Sequence, residues 1–143
     1  MEQFPLVYVD QVIGLVKYIN SIGGRVDSSR LDEMLDVDLD ILPHVIKAAE
    51  MLGLIKQENG DLVLTEIGKK MEDIENKDLR IILKKINKNI EPFKDIIAEV
   101  KRNKITLEQL NKILEKNGYT NMDVAVPIIT QWLALIGISV VYE

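Results

Sequence analysis

The hydrophobic positions of this chain fall into two spacings, helical and alternating, and the order in which they occur is repeated. Val12, Leu15, Val16 and Ile19 recur at i, i+3, i+4 and i+7, the spacing of one helix face, and the run stops at Gly23-Gly24. With Asp10 as N-cap, this predicts a first helix over about residues 11–22, followed by a short extended piece at Arg25-Val26. Asp27 or Ser28 caps a second helix whose apolar face is Leu31, Met34 and Leu35, and an Asp-rich turn leads to a third helix over about 41–52. Pro43 fits that helix because the amides of a first turn have no helical acceptor anyway. After Gly53 the period becomes alternating. Residues 54–58 and 61–64 read as two short strands joined by Asn59-Gly60, a pair that supplies the positive φ values of a tight hairpin. Thr65 then caps a short helix through Lys70.

Residues 72–90 return to helical spacing, with Leu79, Ile82, Leu83 and Ile86 on one face, and lack the Gly, Pro and Ser of a flexible linker. Pro92 ends this stretch, and the first pattern starts again. Phe93, Ile96, Ile97 and Val100 repeat the spacing of Val12 to Ile19 in a helix expected to run to about Arg102. Lys104-Ile105 is extended, Thr106 caps a helix carrying Leu107, Leu110, Ile113 and Leu114, and Asn117-Gly118 ends it. The clearest echo lies 84 positions apart: Leu42-Pro43 through Gly53-Leu54 recurs as Val126-Pro127 through Gly137-Ile138. Leu31 matches Leu110 at an offset of 79, so five residues are inserted before Pro127, and a longer turn is expected there. A last strand over 138–142 has no second hairpin strand after it. Its partner is expected to be Lys104-Ile105, the extended residues 4–9, or a second molecule, the last giving a homodimer.

The fold class that follows is mainly α with small β wings: tandem winged helix-turn-helix units, the second abbreviated, joined by a long helix. The boundaries are 1–71 for the first unit, 72–91 for the connecting helix and 92–143 for the second. A chain of 143 residues with 47% hydrophobic and 29% charged content is of ordinary globular composition. No apolar run approaches the roughly 18 residues that cross a bilayer, and Met1-Glu2-Gln3 lacks the basic flank of a signal peptide, so a cytoplasmic protein is expected. With no Cys there is no disulfide framework, thiolate metal site or Cys nucleophile.

Charge separates the two halves. Residues 1–70 hold 7 Lys and Arg against 12 Asp and Glu, whereas residues 71–143 hold 11 of each. If the third helix entered a major groove, Asp38, Asp40, His44, Lys47 and Glu50 would face the phosphates, flanked by Asp32, Glu33 and Asp36. Most of these repel a polyanion, so the acidic turn is a candidate partner surface for protein rather than nucleic acid. In the second half Lys94, Lys101, Arg102 and Lys104 form a candidate nucleic-acid patch. The alternative is a solvated face with its lysines paired to Glu91, Asp95 and Glu99. Trp132 lies in an apolar helix and is expected in the core.

Catalytic chemistry finds little support. His44 is the only histidine, and no motif sets a nucleophile beside it. Asp36-Val37-Asp38-Leu39-Asp40 begins like a calcium loop, but Ile41 stands where such a loop needs Gly and Lys47 where it needs Glu. The only Gly-Lys pair, Gly68-Lys69, has no Gly at the position a phosphate-binding loop requires. No catalytic residue, cofactor or metal is assigned.

Several segments carry a family resemblance: Phe4-Pro5-Leu6, Val12-Ile13-Gly14-Leu15, Gly23-Gly24-Arg25, Ala48-Ala49-Glu50-Met51-Leu52-Gly53 and residues 60–68. Through them the chain resembles the AAA-associated C-terminal domain. That family follows the ATP-binding cassette of nitrate, sulfonate and taurine type import ATPases and also occurs as a free-standing archaeal protein. The resemblance implies a non-enzymatic accessory or regulatory module whose partner is an ABC ATPase, and it carries no site residues. The rival expectation is a winged-helix DNA-binding transcription regulator.

Overall fold

The computed structural model describes residues 3–31 and 40–142. The fold is mainly helical, with one sheet of three strands and one of two among the described residues. Helix α1 (Val9–Ser21) buries Val12, Ile13, Leu15, Val16 and Ile19, the face expected from the spacing. Its N-cap is Tyr8 rather than Asp10: the Tyr8 backbone N–H donates to Gln11 Oε1 at 2.8 Å, and Asp10 falls in the first turn. Gly23 and Gly24, at φ 102° and 87°, then turn the chain into β1 (Arg25–Asp27). Asp27 caps a 3-10 turn, Ser28–Arg30, by accepting from the Ser29 backbone N–H. The rest of the expected second helix, with Met34 and Leu35, lies outside the described residues.

Helix α2 (Leu42–Met51) carries Pro43 in its first turn and ends at Leu52-Gly53. Strands β2 (Ile55–Glu58) and β3 (Asp61–Leu64) form the expected hairpin around Asn59-Gly60, and β1 joins the free edge of β3 in the order β1-β3-β2, antiparallel throughout. Thr65 caps α3 (Glu66–Lys69). Its hydroxyl donates to the Gly53 carbonyl at 2.6 Å and accepts from the Gly68 N–H at 3.1 Å, tying α3 to the end of α2. A Cβ on Gly68 would collide with the Leu54 carbonyl oxygen, so the Gly of the Gly68-Lys69 pair is there for close packing.

The connecting stretch contains a 3-10 turn, Lys70–Asp73, and the shorter helix α4 (Lys77–Asn87), capped by the Asn76 side chain. Leu79 and Leu83 are buried, as the spacing requires. Helix α5 (Phe93–Glu99) ends before the expected Arg102. Residues 101–104 instead make a tight turn in which Lys101 and Lys104 exchange N–H to carbonyl bonds at 3.0 Å, with Arg102 and Asn103 at φ 53° and 62°. At an offset of 79 these two residues occupy the places of Gly23 and Gly24. Both turns hold two successive residues at positive φ, the second without glycine, but the first bonds back onto α1 through the Gly23 and Gly24 N–H groups.

Strand β4 (Lys104–Thr106) leads into α6 (Leu107–Lys116) through a capping box. The Thr106 hydroxyl accepts from the Gln109 N–H, and Gln109 Oε1 accepts from the Thr106 N–H. Helix α7 (Met122–Leu135) starts five residues before Pro127, where α2 starts one residue before Pro43, so Pro127 lies inside the helix; the turn before α2, with which a longer one was expected to compare, lies outside the described residues. Its end stays in register, since Leu135, Ile136 and Gly137 stand 84 residues after Met51, Leu52 and Gly53. Strand β5 (Ser139–Val141) pairs with β4 in parallel, the first of the three expected partners. In the first half β1 and β2 also run the same way, but with β3 between them. In the second half β5 closes directly onto β4.

The buried residues form one cluster drawn from both halves. Phe4 meets Phe93 and Trp132 edge-to-face at ring-centroid distances of 5.1 and 5.3 Å. Trp132 is in the core, as expected. Among the described residues no helix is long and apolar enough to cross a membrane.

Candidate partner surfaces

Helix α2 positions the described part of the acidic candidate surface. The pattern that buries Leu42, Val45, Ala48 and Ala49 leaves His44 and Lys47 exposed on the opposite face, with Asp40 exposed just before the helix. Asp32, Glu33, Asp36 and Asp38 lie outside the described residues. Beside α2 a groove of about 460 Å³ is lined by Ser28, Ser29, Leu42, Pro43, Ile46 and Gln57. At its edge Gln57 donates to Glu50 at 3.1 Å. The two Ser29 donors, backbone and hydroxyl, hold the Asp27 carboxyl below the ordinary carboxylate range.

The hairpin next to this groove offers little free positive charge. Arg25 Nε reaches Asp61 at 2.6 Å, Arg25 Nη1 reaches Glu58 at 3.3 Å, and Lys56 lies 3.5 Å from Glu58. The Asp61 hydrogen bond, then that to Glu58, favours the guanidinium still further and raises the Arg25 pKa. A wing that contacts phosphates needs cations free to exchange counterions, and these are already bound to carboxylates.

The structure brings together three of the four cations of the candidate second-half patch. Lys101, Arg102 and Lys104 stand exposed on one tight turn, while Lys94 is exposed at the far end of α5. The expected pairing of lysines with Asp95 is replaced by Lys116 from α6, at 3.9 Å, with Asn117 Nδ2 donating to the same carboxylate at 3.1 Å. Glu91 is pushed above the usual carboxylate range by burial first and by Asp95 second. Among the described residues no group of three or more His, Asp or Glu side chains converges to hold a metal ion.

A third feature had no local signal in the sequence. Residues 3–8 run against the second half of the molecule, where Tyr119 Oη donates to the Phe4 carbonyl and Trp132 Nε1 donates to the Val7 carbonyl, both at 2.7 Å. Burial pushes the Tyr119 hydroxyl well above the ordinary phenol range, keeping it a neutral donor. The one trace in the sequence is a break in the repeat: Trp132 stands where the first copy has Ala48, and Phe93 where it has Val12.

A model of the C-terminal AAA-associated domain family matches residues 29–140 of the chain. No curated protein and no solved structure matches it.

Proposed function

Because the chain belongs to the C-terminal AAA-associated domain family, we propose that it is a non-enzymatic regulatory or protein-interaction module, acting in the cytoplasm as an accessory to an ABC-type import ATPase. The family match over residues 29–140 carries this reading. The excess of acidic residues in the first half and the carboxylate-bound cations of its hairpin favour a protein partner over a phosphate backbone there. Within this reading the two halves are tandem winged helix-turn-helix units. In the first, α1, β1, α2 and the β2–β3 hairpin follow the order of such a unit; in the second, α5, β4, α6, α7 and β5 do, with β5 in place of a hairpin. Asp40, His44 and Lys47, with Asp32, Glu33, Asp36 and Asp38, form the partner surface.

Co-expression with an ABC-type import ATPase that lacks a C-terminal domain of this family tests the proposal. A stable complex in size-exclusion chromatography with light scattering is expected, weakened by reversing the charge of Asp40 and Lys47. Two separate monomeric peaks at low salt would overturn it. The second reading, a DNA-binding regulator, is favoured by one observation, the cluster of Lys101, Arg102 and Lys104 on a single turn. It requires duplex retardation at about 50 mM salt that fades steeply as salt rises. On the preferred reading no retardation is seen at that salt.

A further inference from the structure

Residues 3–8 precede α1 in the chain, yet the groove that receives them is built by the second half. Phe4 and Val7 are both 0% exposed, and the Phe4 ring sits edge-on between Phe93 and Trp132. The hydrogen bonds address the backbone of the segment. Tyr119 and Trp132 donate to the carbonyls of Phe4 and Val7, three residues apart, while Gln131 Oε1 accepts from the Val9 N–H at 2.7 Å. Among the described residues the segment pairs with no strand, and the Val7 N–H makes a tight turn onto the Pro5 carbonyl at 3.0 Å. Aromatic-lined grooves also receive proline-rich peptides, but those peptides are extended, whereas this segment turns at Pro5–Val7 and is read through its Phe4 and Val7 carbonyls. Pro5 lowers the conformational freedom lost on docking. The aromatic walls also belong to the second copy alone, since the first copy has Ala48 and Val12 at the places of Trp132 and Phe93.

We propose that Phe93, Tyr119 and Trp132 form a recognition groove for an aromatic-Pro-aliphatic segment, that residues 3–8 occupy it as an exchangeable ligand, and that a second copy of the chain can supply the same segment in trans. The Phe93, Tyr119 and Trp132 contacts fall on residues ahead of α1, whereas the Gln131 contact falls on Val9, the first residue of α1. This inference is independent of the ATPase reading.

The test uses the full chain with Phe4→Ala and Val7→Ala, which removes the two buried anchors, titrated with an acetylated, amidated peptide of residues 3–9. Trp132, the only tryptophan, is the fluorescent probe, and circular dichroism monitors the fold. A saturable fluorescence change is expected with the peptide, and none with the peptide whose Phe is replaced by Ala. Adding Tyr119→Phe to the chain raises the peptide Kd roughly tenfold, the effect of one lost hydrogen bond. The unsubstituted chain requires far more peptide, because its own tethered segment competes at high effective concentration. Should the double substitution unfold the chain, Phe4→Leu alone is titrated and read the same way. The proposal is overturned if the folded variant gives no saturable change, or if a scrambled peptide of equal composition acts equally well.

Discussion

At the scale of single residues, the two halves solve one backbone problem differently. The left-handed turn after the first helix uses Gly23 and Gly24, whereas its counterpart uses Arg102 and Asn103 at φ 53° and 62°. An L-residue in that region carries a steric cost of roughly 1–2 kcal/mol that glycine escapes, less what glycine loses in extra unfolded-state entropy. Arg102→Gly is therefore expected to stabilise the fold by about 0.5–1 kcal/mol in urea denaturation; a loss of stability would mean that the Arg side chain makes a stabilising contact. Gly68 is the opposite case. Its φ is ordinary, but a Cβ there meets the Leu54 backbone carbonyl, which cannot move aside as a side chain can. Gly68→Ala should destabilise by about 1–3 kcal/mol, and a melting temperature equal to that of the unsubstituted chain would contradict the packing described.

At the scale of elements, the repeat was legible wherever one local signal fixed an end. The expected third helix over 41–52 is Leu42–Met51, the hairpin falls on the expected residues, and Thr106 caps α6 as read. In the second half two helix ends differ from expectation for physical reasons. Helix α5 stops at Glu99 because a left-handed turn follows it, and Arg102-Asn103 lacks the glycine that would announce one. Helix α7 begins at Met122 rather than near Pro127, because a proline costs the helix only the one hydrogen bond its missing N–H would make and its ring faces solvent. The aromatic groove was not legible, because Phe4 and Tyr119 are 115 residues apart and leave no pattern in a local window. Of the candidate sites, the cationic residues gather in three of four cases, whereas most of the acidic turn lies outside the described residues. The interior proline yields a prediction. Pro127 cannot donate to the Asp123 carbonyl, and its exposed ring contributes little to the core. Pro127→Ala should raise stability by about 1–2 kcal/mol, after the lost rigidity of the unfolded chain is counted, as measured by thermal unfolding.

At the scale of the whole molecule, the duplication of sequence does not produce two separate cores. The buried residues are continuous, and residues 3–8 fasten the start of the first half to α6–α7 of the second through Tyr119 and Trp132. Shared burial makes the halves unfold together, because neither can open without exposing apolar surface of the other. Trp132 fluorescence, which reports the second half, and far-UV circular dichroism, which reports all helices, should give coincident denaturation curves. The fastening also has a definite pH sign. Burial raises the Tyr119 pKa in the folded state, so its contribution is fully present below the ordinary tyrosine pKa of about 10 and is lost as pH rises above it. Tyr119→Phe removes the Phe4 carbonyl bond and should cost about 1–3 kcal/mol at neutral pH, since it leaves a buried acceptor without its donor. The same substitution should flatten the alkaline fall in stability, because phenylalanine has no proton to lose. A variant that loses stability at neutral pH yet keeps the full alkaline slope would show that other tyrosines, and not the fastening of the two halves, govern the high-pH limit.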